Sequence, residues 1–212
     1  MEKKQSRIQN VSKKINIRSL IAVYVFCAIL IAFYFCVLVA PRDVCLEYEM
    51  YYVDKILTDW PGYGGLRYTI GTPVYFGSEN MDEGSRRKGS GWSRRENGYS
   101  WTEGEKSDVY FHVDGDIPEM MEITVKIGDV ICDSYDLAVN GAVLKSGLSG
   151  SHTTVSALVT RDLLNGEKMI CVTIYASSPK RPCDIGGSAA DGRLLGLQVT
   201  EMSISEVVES DQ

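Results

Sequence analysis

Residues 136–145 read DLAVNGAVLK, two short apolar runs on either side of Asn140-Gly141. A two-residue hairpin loop of type I′ needs positive φ at both central positions, and Asn-Gly tolerates this best. The segment therefore predicts two antiparallel strands joined by a tight turn. Working outward, the same short-run character recurs on both sides. Asp108–Asp114 (DVYFHVD) alternates, with Val109, Phe111 and Val113 on one face and Tyr110 and His112 on the other, the period of a half-buried strand. Further runs are Tyr68–Ile70, Val74–Phe76, Glu122–Ile127, His152–Leu158, Lys168–Ala176 and Leu194–Ile204, separated by Gly, Asn, Asp and Ser. Only Arg161–Gly166 reads as a helical turn. Short strands at this spacing predict an all-β fold, a jelly-roll-like antiparallel β-sandwich over residues 67–208.

One stretch breaks the pattern. Leu20–Ala40 (LIAVYVFCAILIAFYFCVLVA) is 21 residues without a charge, Gly or Pro. As a helix it would span about 31 Å, close to the ~30 Å hydrocarbon core of a bilayer. It lacks the polar face a helix on a soluble core would keep. The expectation is an N-terminal transmembrane helix at 20–40, a retained anchor, since Val39-Ala40-Pro41-Arg42 makes a poor signal-cleavage site. Residues 1–19 form a basic tail, with Lys3, Lys4, Arg7, Lys13, Lys14 and Arg18 against Glu2. Basic flanks stay cytoplasmic, so the tail is expected inside and the C-terminal domain outside the plasma membrane. Residues 41–66 read as a connector: a short stalk helix ended by Trp60-Pro61-Gly62-Tyr63-Gly64-Gly65, dense in turn formers.

Of 22 basic and 28 acidic residues, six and one precede the helix, leaving 16 and 27 beyond it, a net −11. That balance argues against nucleic acid as a partner. Beyond the helix, Cys45, Cys132, Cys171 and Cys183 permit two disulfides in three connectivities, or four ordinary thiols. No phosphate loop, metal-ligand spacing or nucleophile elbow is present, so no cofactor or metal is expected. His112 and His152, the two histidines, suit no constellation, and a carboxylate pair such as Glu96 and Asp191 is weak support for a glycoside hydrolase.

The most distinctive stretch is Gly91–Gly104, GWSRRENGYSWTEG. Trp92, Tyr99 and Trp101 can stack on sugar rings while Glu96 fixes hydroxyls, the apolar platform with a few oriented polar groups of a small-ligand site. Alternatively both tryptophans anchor the core. Arg86-Arg87-Lys88 with Arg94-Arg95 can meet phosphate or uronate groups on surface polymers or anionic lipid headgroups, or form a solvated loop beside Asp82 and Glu83. Glu96 and Arg193 are opposite charges in Gly-flanked segments near the start and end of the sandwich. First and last strands often lie side by side, so this pair can fasten them in a bidentate contact, with Asp191 orienting the guanidinium from its other side.

Gly91-Trp92-Ser93, Glu96, Gly98, Trp101-Thr102 and Gly104 resemble the GWS-x-x-E-x-x-G-x-W-[ST]-x-G signature of a β-sandwich domain that accompanies bacterial membrane glycosyltransferases and phosphoglycerol transferases. Val139-Asn140-Gly141 looks like that family's V-N-G turn. Ser178-Pro179, Asp191, Arg193 and Leu195-Gly196 look like its S-P…D-x-R-x-L-G segment. Asn97 departs from the aromatic often found before the central Gly. The resemblance implies a place in cell-surface polysaccharide assembly and assigns the domain no particular role there. The expectation is therefore a membrane-anchored, non-catalytic accessory or carbohydrate-binding module, with Trp92, Glu96, Tyr99, Trp101, Asp191 and Arg193 as ligand-contacting residues. Its expected partners are the lipid bilayer and a surface glycan; alternatively it docks on a membrane glycosyltransferase.

Overall fold

The computed structural model describes residues 17–39, 44–77 and 83–207. The basic tail as far as residue 16, and Asp82 of the polar insertion, lie outside them. The chain forms two compact units, Met1–Asp43 and Val44–Gln212.

In the first unit, α1 (Ile17–Val39) is a continuous helix of 23 residues. Its stretch Ser19–Val39 has a mean hydropathy of 2.8, long and apolar enough to cross a membrane.

The described residues of the second unit form ten strands: β1 (Arg67–Tyr68), β2 (Val74–Tyr75), β3 (Ser100–Glu103), β4 (Lys106–Val113), β5 (Met120–Val130), β6 (Ser134–Val139), β7 (Ala142–Leu148), β8 (Thr153–Thr160), β9 (Met169–Ser177) and β10 (Leu195–Glu206). One sheet has the order β1-β4-β9-β6-β7; the other has β2-β10-β5-β8, with β3 also on β10. Apart from the β6–β7 hairpin, the chain from β4 to β10 changes sheet at every connection, giving the jelly-roll-like sandwich that the run spacing predicts. The ladders among described strands are antiparallel except β1–β4, which is parallel with Arg67 opposite His112. Asn140 and Gly141 have φ of 46° and 84°, the backbone that a type I′ turn requires.

Alternation places the core. Val109, Phe111 and Val113 of β4 meet Met121, Ile123 and Val125 of β5 and Ile170, Val172 and Ile174 of β9 in one buried cluster. In β10 the buried positions run Leu195, Leu197, Val199, then Met202 and Ile204. Register shifts on either side of Val199 move the inward face by one residue, as a bulge must. The turn Asp162–Leu164 is a 3-10 helix.

The stretch read as a connector is instead part of the domain. A short helix, α2 (Leu46–Tyr48), runs into a π-helical turn at Glu49–Val53. Met50, Leu57 and Leu66 are buried there against Tyr110 and Met169, on strands β4 and β9. Those rings and chains on the outer face of the first sheet are apolar surface that needs covering, and residues 44–66 cover it. The polar insertion also folds in part, as α3 (Glu83–Arg87). The four cysteines beyond α1 are free thiols, so the disulfide alternative is not adopted.

Candidate functional site: a charge latch and a cationic hollow

The GWS segment folds back on itself. Trp92 bridges Thr102 and Glu96 bridges Tyr99, so Asn97-Gly98 closes an irregular hairpin. Only Gly98 of that pair has positive φ, 88°, the requirement of a type II turn. This is a second Asn-Gly hairpin, legible from the same signal as the first. β3, the returning arm, pairs with the start of β10, Trp101 opposite Gln198 and Glu103 opposite Leu195.

That pairing brings four of the expected site residues together. Arg193 Nη1 and Nη2 both donate to Glu96 Oε1 at 3.1 Å. On the other side, Arg193 Nε donates to Asp191 Oδ1 at 2.9 Å and Nη2 to Oδ2 at 2.6 Å. The two-oxygen fork is thus made with Asp191, and Glu96 receives the guanidinium through a single oxygen, a refinement of the expected geometry. Glu96 Oε2 accepts from the Tyr99 hydroxyl at 3.0 Å. Hydrogen bonds from Arg193 pull the Asp191 carboxyl down to about 2, and burial followed by the Glu96 contact pushes the Tyr99 phenol up. The side chains of Arg193 and Glu96 are 34% and 33% exposed. The arrangement closes a loop of partners and fastens the hairpin tip to the entry of β10.

The two tryptophans part company. Trp101 is 9% exposed and meets Tyr99 edge-on at 6.2 Å. Only its margin borders a shallow depression of about 430 Å³ beside Pro182 and Ile185. As a flat stacking platform Trp101 is closed off. Trp92 is half-buried: its ring stacks on Phe76 at 5.2 Å, and its Nε1 donates to the Asp108 carbonyl at 2.8 Å.

Trp92 also lines a hollow of about 780 Å³. Thr58, Asp59 and Trp60 come to it from the segment before β1, Ser85, Arg86 and Lys88 from α3 and its end, and Ser93, Arg94 and Arg95 from the GWS segment. Backbone bonds hold these walls together: Thr58 N donates to the Lys88 carbonyl at 3.0 Å, and Gly89 N to Asp108 O at 2.8 Å.

The basic cluster divides inside this structure, which corrects its reading as one solvated or anion-facing loop. Arg87 is 2% and Lys88 3% exposed. Arg87 donates to the carbonyls of Leu66 and Arg67 at 2.7 and 2.6 Å, with its guanidinium 5.4 Å from the Phe111 ring centroid. Lys88 Nζ donates to Ser100 Oγ at 2.6 Å and to the Ser93 carbonyl at 3.3 Å, and lies 5.6 Å from the centre of the Trp92 ring. Burial pushes its amine down to about 8, against the pull of Asp59. Arg86, Arg94 and Arg95 are exposed and give the hollow its charge. Trp60 and its neighbours were missed as site residues, although the Trp-Pro step marked the bend that turns that indole toward the hollow.

No protein-family profile matches the chain, and no curated protein sequence matches it. Among solved structures, it is similar to a family 35 carbohydrate-binding module from Clostridium thermocellum at 8% identity, covering 65% of this chain and 100% of that one with a TM-score of 0.35. It is also similar to the CBM36-1 domain of a multidomain xylanase from the hindgut metagenome of Trinervitermes trinervoides (10% identity, 65% and 99% covered, TM-score 0.37). A third is Xyl-CBM35 in complex with a glucuronic acid-containing disaccharide (12% identity, 66% and 87% covered, TM-score 0.30). What the hollow of this chain takes up rests on its own residues.

Proposed function

We propose that this chain is a membrane-anchored, non-catalytic glycan-binding module of a bacterial cell surface, acting in surface-polysaccharide assembly. The observation that carries the reading is the hollow beside Trp92. It joins two indoles, Trp60 and Trp92, to the hydroxyls of Thr58 and Ser85 and to exposed guanidinium groups at Arg86, Arg94 and Arg95. Indole edges give sugar rings an apolar wall, hydroxyls meet sugar hydroxyls, and guanidinium groups meet carboxylate or phosphate substituents. The matching ligand is an acidic glycan. Glu96, Asp191 and Arg193 satisfy one another, so they support the wall of the site and the ligand contacts shift to the hollow. Anchoring by α1 would raise the local concentration of membrane-borne glycans, so weak intrinsic affinity suffices.

The test is titration of the full chain in nanodiscs with a phosphate- or uronate-bearing polysaccharide and with a neutral one. The acidic polymer should bind more tightly, and Arg86→Ala with Arg94→Ala should weaken it by about tenfold with the melting temperature unchanged. Equal binding of both polymers, or of neither, would overturn the reading.

A further inference from the structure

Five aromatic rings form an unbroken ladder at the start of the domain. Tyr48 lies 4.8 Å from Tyr52, Tyr52 4.8 Å from Tyr51, Tyr52 5.5 Å from Trp60, and Trp60 5.6 Å from Tyr63, centroid to centroid. The ladder faces outward: Tyr48, Tyr52 and Tyr63 are 40%, 52% and 83% exposed, and Val53 and Ile56 beside them are exposed as well. Tyr51 alone leans on the small cluster of Met50, Leu57 and Leu66. A contiguous aromatic and aliphatic surface of this kind is costly in water and marks a place of contact. Tyr and Trp in particular suit an environment that is apolar on one side and wet on the other.

Two observations name the occupant. Val44, the first described residue of the domain, follows Val39, the last residue of α1, by five positions. Five residues reach at most roughly 18 Å, so the ladder begins only a short length of chain after the end of α1. The second is charge. Within the ladder, Trp60 lines the hollow together with Arg86, Arg94 and Arg95, which places guanidinium groups beside that ring, as anionic headgroups would meet them. Glu49, Asp54 and Asp59 are exposed among the aromatics, which keeps the contact at headgroup depth.

We infer that the Tyr48–Tyr63 aromatic ladder docks on the outer leaflet of the membrane that α1 spans, giving the domain a second, peripheral membrane contact. This rests on the anchored reading of α1. Docked this way, the domain holds the Trp60 end of the hollow at the membrane rim, where lipid-borne chains emerge.

The chain's three tryptophans, at 60, 92 and 101, all lie outside α1, so indole emission reports the domain alone. The full chain is reconstituted in phosphatidylethanolamine–phosphatidylglycerol vesicles, with and without a lipid bearing a nitroxide at its headgroup. The expected result is loss of the emission component that Trp60→Phe removes, and its recovery in Tyr52→Asp/Tyr63→Asp with an unchanged melting temperature. Unquenched Trp60 in chains that resist carbonate extraction would overturn the docking and leave the anchor standing. Chains that carbonate releases would overturn both. Unquenched Trp60 together with cross-linking between chains through Tyr63→Cys would overturn it in favour of a second copy on the ladder.

Discussion

Arg193 and Glu96, 97 positions apart in sequence, meet through two hydrogen bonds of 3.1 Å to one carboxylate oxygen. The contact ties the tip of the GWS hairpin to the residue that leads into β10, and Asp191 grips the same guanidinium from behind. The hairpin's other arm carries Trp92, Ser93, Arg94 and Arg95 into the hollow. A charge latch outside the hollow thereby sets the geometry of one of its walls.

Removing the latch should cost stability before it costs binding. The groups are about a third exposed, so solvent screens them, and the geometry partly offsets that loss; Arg193→Ala should destabilise by about 1–2 kcal/mol. In a domain of this size that lowers the melting temperature by about 3–6 °C. Arg193→Lys keeps the charge and loses the planar fork, so it should recover less than half of the loss. Thermal unfolding monitored by near-UV circular dichroism reads both. A lysine variant as stable as the parent would show that charge alone, without the fork, holds the hairpin.

The same latch sets behaviour in acid. The folded-state carboxyl of Asp191 lies at about 2, below its ordinary 3.8. Unfolded chains therefore bind the proton first as pH falls, and the contribution of Asp191 is full above pH 3.8 and lost on the way down to 2. The stability difference between the parent and Asp191→Asn should narrow across that window, measured by denaturant midpoints at pH 5, 3.5 and 2.5. A difference that stays constant with pH would mean the carboxylate is not held by Arg193 in solution.

These elements differ in how far the residues alone revealed them. β4 is legible position by position, because Val109, Phe111 and Val113 alternate with polar neighbours over a straight ladder. β10 is not, since the register shifts around Val199 break the period that pattern reading relies on. The latch is legible because opposite charges in two glycine-flanked segments need only the adjacency of β3 and β10 to meet. Residues 44–66 mislead because Met50, Leu57 and Leu66 share no period; what buries them is the outer face of a sheet built some fifty residues and more later. Arg87 and Lys88 mislead for a different reason. A run of cations normally stays in water, and nothing local announces that the carbonyls of Leu66, Arg67 and Ser93 will receive them.

The glycines of the GWS segment separate two kinds of constraint. Gly91 has φ +80°, and a Cβ there would collide with the carbonyl of Lys106, so neither backbone nor space admits a side chain. Gly98 has φ +88°, with nothing within 4 Å of the Cβ position. Gly91→Ala should cost about 3 kcal/mol or more, and Gly98→Ala only about 1 kcal/mol, the strain of the left-handed backbone. Urea titration of the two variants distinguishes them; equal costs would mean that the Gly91–Lys106 approach relaxes freely.

Lys88 supplies the alkaline counterpart. Its folded amine is pushed to about 8 by burial, from an ordinary 10.5, so between those values the unfolded chain carries more protons than the folded one. Stability then rises with pH across the window. Lys88→Met keeps the length of the side chain and cannot titrate, although it leaves Ser100 Oγ and the Ser93 carbonyl without the Nζ donor. The parent should be the more stable of the two, and its advantage should grow by about 2 kcal/mol from pH 7 to pH 10. Tyrosines that ionise near the upper limit are common to both proteins and cancel in the difference. An advantage that does not change with pH would place the Lys88 amine at its ordinary value, in contact with water at the floor of the hollow.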